Sequence, residues 1–528
     1  MATMSTELYT DIETNRTLST GIWKSAAAAA AAAPWERISW GMALGFLLVS
    51  YVVYEQLTFM WKRKHLPGPM FVLPFLGGVI PMIVNPTQFW DDQAVAAKKV
   101  GLCSHFLLGN FILFVRDSEI SHKIFANVRP DAFQLVGHPL GSKLFGKDNL
   151  IFMFGQEHKD LRARLAPLFT LKALGIYISI QEKTVRKHIA TWLASAEKSN
   201  DPVQLRLLIR DMNLETSQDA FVGPYLTPEL RQQFNYDYNL FNRGLLSLPV
   251  SLPGFAFHAA KKAVPRLIAT LTSCAKASKV RMMAEEEPAC LIDFWIVEVL
   301  KQIREAEEAG APMPRHTSDP EIGYHVFDFL FAAQDASTSS ITWAATLLES
   351  HPDMLEKVRQ EQKSLQHESP TGLTPELLRK MKYTEMVVKE VLRYRPPATL
   401  VPHLAANDFP LTDTYTVPKG TIVFPSVLES SFQGFTNPYE FDPDRFSAER
   451  LEDQVYKRNW LLFGAGPHQC IGQRYAMNQL LVFTALYSTL VDAKRVRTPD
   501  CDDITYTPTI APKDGGLVYL SPYADFNA

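Results

Sequence analysis

The 528-residue chain is 47% hydrophobic and 21% charged, enough apolar material for a large core, and its formal net charge is −3. So small a charge, without a long basic block, argues against nucleic acid as a partner. Cys103, Cys274, Cys290, Cys470 and Cys501 show no paired spacing, which argues against a disulfide scaffold or a zinc knuckle and places the bulk of the chain on a reducing face.

Residues 1–37 are polar and then alanine-rich. Glu7, Asp11 and Glu13 do not suit an organelle transit peptide, and the segment reads as a disordered tail. An uncharged run begins at Ile38 and continues through "LGFLLVSYVVY" to Tyr54, so a membrane-spanning helix is predicted over 38–60. The run is apolar on every side, which favours a span over a surface amphipathic helix. Trp35, Trp40 and Trp61 suit its interfaces. Lys62, Arg63 and Lys64 supply a cytosolic positive flank, followed by Pro67 and Pro69, so 61–69 reads as a basic, proline-rich linker. That orientation makes the tail lumenal, with Asn15 in an acceptor sequon, and leaves 70–528 as one cytosolic domain.

Within 70–528, helical patterns dominate and three hairpins are predicted: "HFLLGNFILFV" turning at Gly109 and Asn110, "TVPKGTIVFPS" at Lys419 and Gly420, and "TPTIAPKDGGLVYL" at Asp514 and Gly515. The expected fold class is therefore mainly α, an α+β domain with small antiparallel sheets at its edge.

A helix of about thirty residues is predicted from a capping box at Ser318 and Glu321 to His351 and Pro352. Ala332, Ala336 and Ser340 shave one face, and Asp335 interrupts an apolar stretch. Either the acid faces solvent beside a closely packed helix, or it is held buried for a purpose. A second helix, over "ELLRKMKYTEMVVKEVLRY", carries Glu390 and Arg393 at i, i+3, a spacing that alone means only an ordinary ion pair. Near the C-terminus, "FGAGPHQCIG" surrounds Cys470 with Gly464, Gly466 and Gly472, as a tight loop presenting a sulfur would require.

Taken in order, "AAQDAS", "EVLR", "FDPDRF" and "FGAGPHQCIG" resemble the cytochrome P450 superfamily of haem-thiolate proteins over essentially the whole chain. Phe463, Gly466, Cys470 and Gly472 meet its F-x-x-G-x-x-x-C-x-G pattern. The resemblance implies haem b with Cys470 as the axial iron ligand, a thiolate that favours dioxygen cleavage. It implies haem propionate contacts from His468, His403, His158 and Arg162, although His158 stands where relatives usually have tryptophan. Glu390, Arg393 and Arg445 match the family's structural ion network. Most hydroxylating members carry threonine where this chain has Ala336, so proton delivery falls to Asp335, to Ser337 or to ordered water.

"FLFAAQDASTSS", "RYRPPATLVPH", "KGTIVFPS" and "PTIAPKDG" resemble the sterol C-22 desaturase branch, particularly its plant-type members. That branch implies a C22–C23 double bond placed in the side chain of a 24-alkyl sterol, using dioxygen and NADPH. The electrons would come from a membrane-bound cytochrome P450 reductase, with cytochrome b5 as an optional donor, at the endoplasmic reticulum. No Walker loop or dinucleotide fingerprint supports an internal nucleotide domain. The substrate wall implied by position is Phe133, Leu135 and Val136; Phe331 and Ala332; Thr399, Leu400 and Val401; Thr509 and Ile510. Competing readings are a sterol 14α-demethylase or other sterol hydroxylase, an oxygen-independent haem-thiolate isomerase, and a non-enzymatic haem- or sterol-binding protein.

Overall fold

The computed structural model describes residues 40–136, 141–146, 149–366, 372–506 and 509–523. The predicted tail, Asn15 and the first two residues of the predicted span lie outside the described residues. Helices longer than ten residues are α1 (Trp40–Arg63), α2 (Pro86–Ala97), α3 (Gly155–Leu165), α4 (Leu171–Ser199), α5 (Leu205–Phe221), α6 (Pro228–Leu245), α7 (Ala256–Met283), α8 (Leu291–Glu308), α9 (Asp319–Ser350), α10 (Pro352–Gln366), α11 (Lys382–Tyr394) and α12 (Gln473–Leu490). The strands are β1 (Leu102–Leu107), β2 (Asn110–Val115), β3 (Phe133–Leu135), β4 (Val203–Gln204), β5 (His403–Ala405), β6 (Phe409–Pro410), β7 (Thr416–Val417), β8 (Ile422–Pro425), β9 (Val491–Arg495), β10 (Ile504–Tyr506), β11 (Ile510–Pro512) and β12 (Leu517–Pro522).

Helix α1 is long and apolar enough to cross a membrane. It runs to Arg63, beyond the predicted end at 60, because nothing in Trp61–Lys62–Arg63 breaks a helix and the prolines come later. Its last turns are not a free hinge. Glu55 accepts the Phe75 N–H at 2.9 Å, Gln56 Nε2 donates to Val72 O at 2.7 Å, and Phe59 is buried between Phe106 and Phe111. Arg63 closes the junction by donating to Leu66 O and Pro69 O, both at 2.9 Å.

Helix α9 is the axis of the domain. The predicted capping box is present, with both Ser318 N–H and Ser318 Oγ reaching Glu321 Oε2. Ile322, Val326, Phe327 and Leu330 join one core cluster with side chains of α6, α7 and α8; Ile341 and Ala345 join a second with α4, α5 and α12. A helix that crosses from one core to the other is nearly all apolar or small in its second half, as 337–348 are.

The helix predicted after Thr374 is two helices. Met381 leaves the helical region at ψ 65, buried with Leu377 and Leu378, and the Glu361 carboxylate of α10 accepts the Tyr383 and Thr384 N–H groups to start α11 afresh.

Of the three predicted hairpins, only β1–β2 forms, and its turn residues are Leu108 and Gly109, both at positive φ, with Asn110 already paired to Leu107. Gly420 and Gly515 do turn the chain, but between different sheets. β7 pairs with β6, whereas β8 joins the five-stranded order β1-β2-β8-β5-β3; β11 pairs with β10, whereas β12 lies between β4 and β9. Leu205 N and Arg206 N at the start of α5 donate to Gly516 O and Gly515 O, so the turn between β11 and β12 holds that helix.

Candidate active site

The cysteine loop is closed by Cys470 N–H donating to Phe463 O at 2.8 Å, while Phe463 itself packs into the core around α12. Gly464 and Gly466 have φ of +70 and +69, and a Cβ on Gly466 would stand 2.7 Å from Phe125 O, so this loop needs glycine for both conformation and approach. Gly472 is the N-cap of α12, just after Cys470 in the loop. Cys470 is exposed, yet enough protein surrounds it that burial pushes the thiol above its ordinary value; the Gly472 N–H and Arg162 pull it back.

Three imidazoles and a guanidinium gather beside this loop. The His158 and His468 rings stack at 3.9 Å and 13°. Arg162 follows His158 by one turn of α3. His403, on β5, is fixed by a bond between Nδ1 and Val401 O at 2.8 Å and meets Phe125 edge-on. Burial, then Arg162, holds His158 at about 4; burial, then His158, Arg162 and His403, holds His468 at about 3. Burial alone holds His403 at about 4, against the Val401 carbonyl. Among the described residues no carboxylate pairs with any of these four groups. Buried and half-buried basic side chains lacking a carboxylate partner, beside a reachable thiol, fit a flat iron macrocycle with two carboxylates.

The 332–337 segment of α9 carries further candidate residues. Ala332 is exposed and Ala336 half-buried, one turn apart on one face, while Ser337 is buried. Asp335 is partly buried. Burial pushes its carboxyl above the usual range, and Arg210 and Arg206 of α5 pull it back. Three consecutive carbonyls here are engaged from outside the helix. Asn213 Nδ2 donates to Gln334 O at 2.7 Å with Ala333 O at 3.3 Å, and Thr509 Oγ1 donates to Asp335 O at 3.2 Å.

Behind the loop, Glu390, Arg393 and Arg445 have no exposed surface. Glu390 receives Arg393 Nε and Nη2 at 2.7 Å each, Arg445 Nε at 3.0 Å and Asp442 N–H at 2.8 Å. Arg393 also donates to Pro438 O and Glu440 O, and Arg445 to Thr436 O and to Glu452 at 3.2 Å. The pair thus staples the irregular 431–440 segment that leads toward the cysteine loop. The i, i+3 spacing is a buried network and not a surface pair.

The predicted wall is dispersed. Leu135 sits opposite His403 in the β3–β5 register, and Val136 N–H donates to Pro402 O. Val401 packs beside Phe125, Leu400 beside Phe424, and Thr399 O accepts the Val427 N–H. Phe331 meets Phe241 edge-on. Phe133 and Ile510 are completely buried, against Phe409 and in the Trp343 cluster, and present no surface to a ligand. Sequence reading missed Arg206, Arg210, Asn213, Gln479 and Glu452. The signal for Asn213 is a polar residue on the buried stripe of α5, one turn after Ile209.

Comparison with known proteins supplies the frame. The family model described as Cytochrome P450 matches residues 67–488. The chain is 54% identical to "Cytochrome P450 710A2" of Arabidopsis thaliana, covering 90% of this chain and 95% of that one. It is 33% identical to "C-22 sterol desaturase erg5" of Aspergillus fumigatus, covering 89% and 92%. Among solved structures, "Retinoic acid bound cyanobacterial CYP120A1" superposes with a TM-score of 0.71 at 24% identity, over 87% of this chain and 99% of that one, a likeness of fold.

Proposed function

Because the chain belongs to the cytochrome P450 family, we propose that it is a sterol C-22 desaturase, acting on the side chain of a 24-alkyl sterol with dioxygen and NADPH-derived electrons. The observation that carries this reading is Asp335 kept partly buried under the charge influence of Arg210 and Arg206 while the neighbouring position is Ala336, together with the desaturase relatives. The balance is one sterol, one dioxygen, one NADPH and one proton giving the C-22 olefin, two waters and NADP+.

When bound, haem b supplies the one-electron and dioxygen chemistry, with the thiolate as its electron-donating ligand. Cys470 would be its ligand, presented on a loop held by the Cys470 N–H to Phe463 O bond. Arg162, His158, His468 and His403 hold the propionates, and Glu390, Arg393 and Arg445 keep the loop's support rigid. Asp335 holds a proton at its carboxyl and releases it inward; Ala336 offers no hydroxyl, and buried Ser337 is the secondary candidate. Leu135, Val136, Phe331, Ala332, Thr399, Leu400, Val401 and Thr509 orient the sterol tail and exclude water, with Phe133 and Ile510 backing them. Helix α1 is the single-pass anchor at the endoplasmic reticulum, with the domain on the cytosolic side beside a reductase.

Product analysis tests this. Reconstituted with reductase and NADPH, the protein converts a saturated-side-chain 24-alkyl sterol to its C-22 olefin and leaves a 14α-methyl group in place. A 14α-demethylated product selects the demethylase, and a stable side-chain alcohol as sole product selects a hydroxylase. Cys470→Ala abolishes the reduced-CO band near 450 nm; its survival in folded protein sinks the ligand assignment.

A further inference from the structure

We infer that Asn213 of α5 is a positioning residue for proton delivery: by hydrogen bonding to the carbonyls that precede Asp335, it sets where that carboxyl stands. This rests on Asp335 being the proton donor in the reading above.

Asn213 has no exposed surface. Its amide lies among Gln334 O at 2.7 Å, Thr338 Oγ1 at 3.2 Å and Ala333 O at 3.3 Å. Carbonyl oxygens only accept, so Nδ2 must face α9 and Oδ1 must face away. Oδ1 meets Gln479 Nε2 of α12 at 2.6 Å, which fixes the amide from its other end. A further tie flanks these: Gln334 Nε2 donates to Arg210 O at 2.8 Å. Four side-chain hydrogen bonds therefore join α5 to α9 within one turn of Asp335, and Gln479 of α12 holds Asn213 from its other side.

The consequence follows from helix geometry. The carbonyls of 333 and 334 face the N–H groups of 337 and 338, four residues on. Thr338 Oγ1 also donates to Gln334 O at 2.7 Å, so that oxygen is shared between the helix's own ladder and two side-chain donors. Thr509 adds a donor at the Asp335 carbonyl. Extra donors on successive carbonyls draw them outward and loosen the ladder locally, which opens polar space beside Asp335 for water. The charged groups acting on Asp335 are Arg206 and Arg210 of α5, and the other titratable group coupled to it is Tyr238 of α6. Two of these come from the helix that carries Asn213, so one clamp sets both the acid and its counter-charges. In a chain with Ala336 beside the acid, the carboxyl's position must do what a neighbouring hydroxyl would otherwise share.

The test uses the full-length, haem-loaded protein with Asn213→Leu and Asn213→Asp, beside Asp335→Asn. In the resting protein, both Asn213 variants keep the 450 nm CO band and the sterol-induced Soret shift. In Asn213→Leu, amide hydrogen exchange in a peptide spanning 333–340 slows at least threefold, because the ladder regains its acceptors. Faster exchange there means a simple brace and overturns the inference. In turnover, Asn213→Leu consumes NADPH but forms at least tenfold less oxidised sterol per NADPH, with peroxide making up the difference. The double variant with Asp335→Asn falls no further than Asp335→Asn alone. Coupling within twofold of wild type, or losses that multiply in the double variant, overturn the inference. If Asn213→Leu fails to fold, Gln479→Leu replaces it, with a smaller loss of coupling in the same direction; unchanged coupling there overturns it equally. Coupling counts any oxidised sterol, so a wild-type product other than the C-22 olefin sinks the desaturase reading and leaves this comparison standing.

Discussion

Replacing Glu390 tests whether the buried ion network is a support on which haem retention depends. Its carboxylate is the only anion within reach of Arg393 among the described ion pairs, whereas Arg445 keeps Glu452 at 3.2 Å if Glu390 is lost. In Glu390→Gln the side chain keeps its shape, but a fully buried guanidinium loses its counter-charge and keeps one neutral amide oxygen and the carbonyls of Ser431, Pro438 and Glu440. The Phe432 ring, 5.2 Å from the guanidinium, offsets part of the loss. Breaking a buried pair by removing one partner costs about 3–5 kcal/mol. Glu390→Gln is expected near the lower bound, since the amide oxygen still accepts, and Glu390→Ala near the upper. Against a domain stability of roughly 5–15 kcal/mol, the second loss leaves little. The assay is guanidinium unfolding in detergent, followed by intrinsic fluorescence, with the reduced-CO spectrum as the measure of haem held. The expected result is a lower midpoint and, at each denaturant concentration, an earlier loss of the 450 nm band. A Glu390→Gln midpoint within about 0.5 kcal/mol of wild type refutes the reasoning, because surface pairs are worth that little.

Gly466→Ala forces a Cβ to 2.7 Å from Phe125 O at a positive φ, so haem content should fall by more than half, whereas Gly254→Ala, also at positive φ but in open space, should leave it unchanged; spectral titration decides. The Glu215 carboxylate is lowered to about 2, chiefly by its His188 hydrogen bond and also by Lys187. Its stabilisation is therefore complete above the unfolded value near 4.5 and is lost as pH falls through about 2. Allowing for the exposed lysine, it amounts to about 1–2 kcal/mol, and Glu215→Gln should flatten the acid limb of the stability curve by that amount. The full chain should resist carbonate extraction from membranes, and a variant lacking residues 1–54 should be released while keeping its 450 nm band, because Glu55, Gln56 and Phe59, which dock on the domain, remain; loss of the band would show that the upper part of α1 also supports the fold.

Features decided within a few residues were legible in the sequence. The capping box at Ser318, the proline boundary after His351 and the glycine frame of Cys470 are local rules, and each stands where the sequence places it. What escaped was decided by partners far along the chain. Gly420 and Gly515 were recognisable as turns, but which strands they joined depended on β2, β4, β5 and β9. The break at Met381 depended on a carboxylate from α10, and Leu108 took the turn position ahead of Asn110 because the register of β1 with β2 fixed it there. At the site, Cys470 and Asp335 announced themselves by pattern, whereas Asn213 and Gln479 are 266 residues apart and carry no motif.

The hold of Gly515 and Gly516 on the start of α5 has a bearing on how the chain is made. Helix α5 is synthesised well before the carbonyls that fix its first turn and before the glutamine that clamps Asn213, 266 residues further on. Contacts between such distant segments close slowly, since the loop entropy must be overcome before they contribute. A nascent chain can therefore build α6, α7 and α8 around the first half of α9 while α5 waits for α12 and for the turn before β12. A chain cut before Gly515 would keep those helices and lose the two carbonyls that accept from Leu205 and Arg206, leaving the first turn of α5 without its partners.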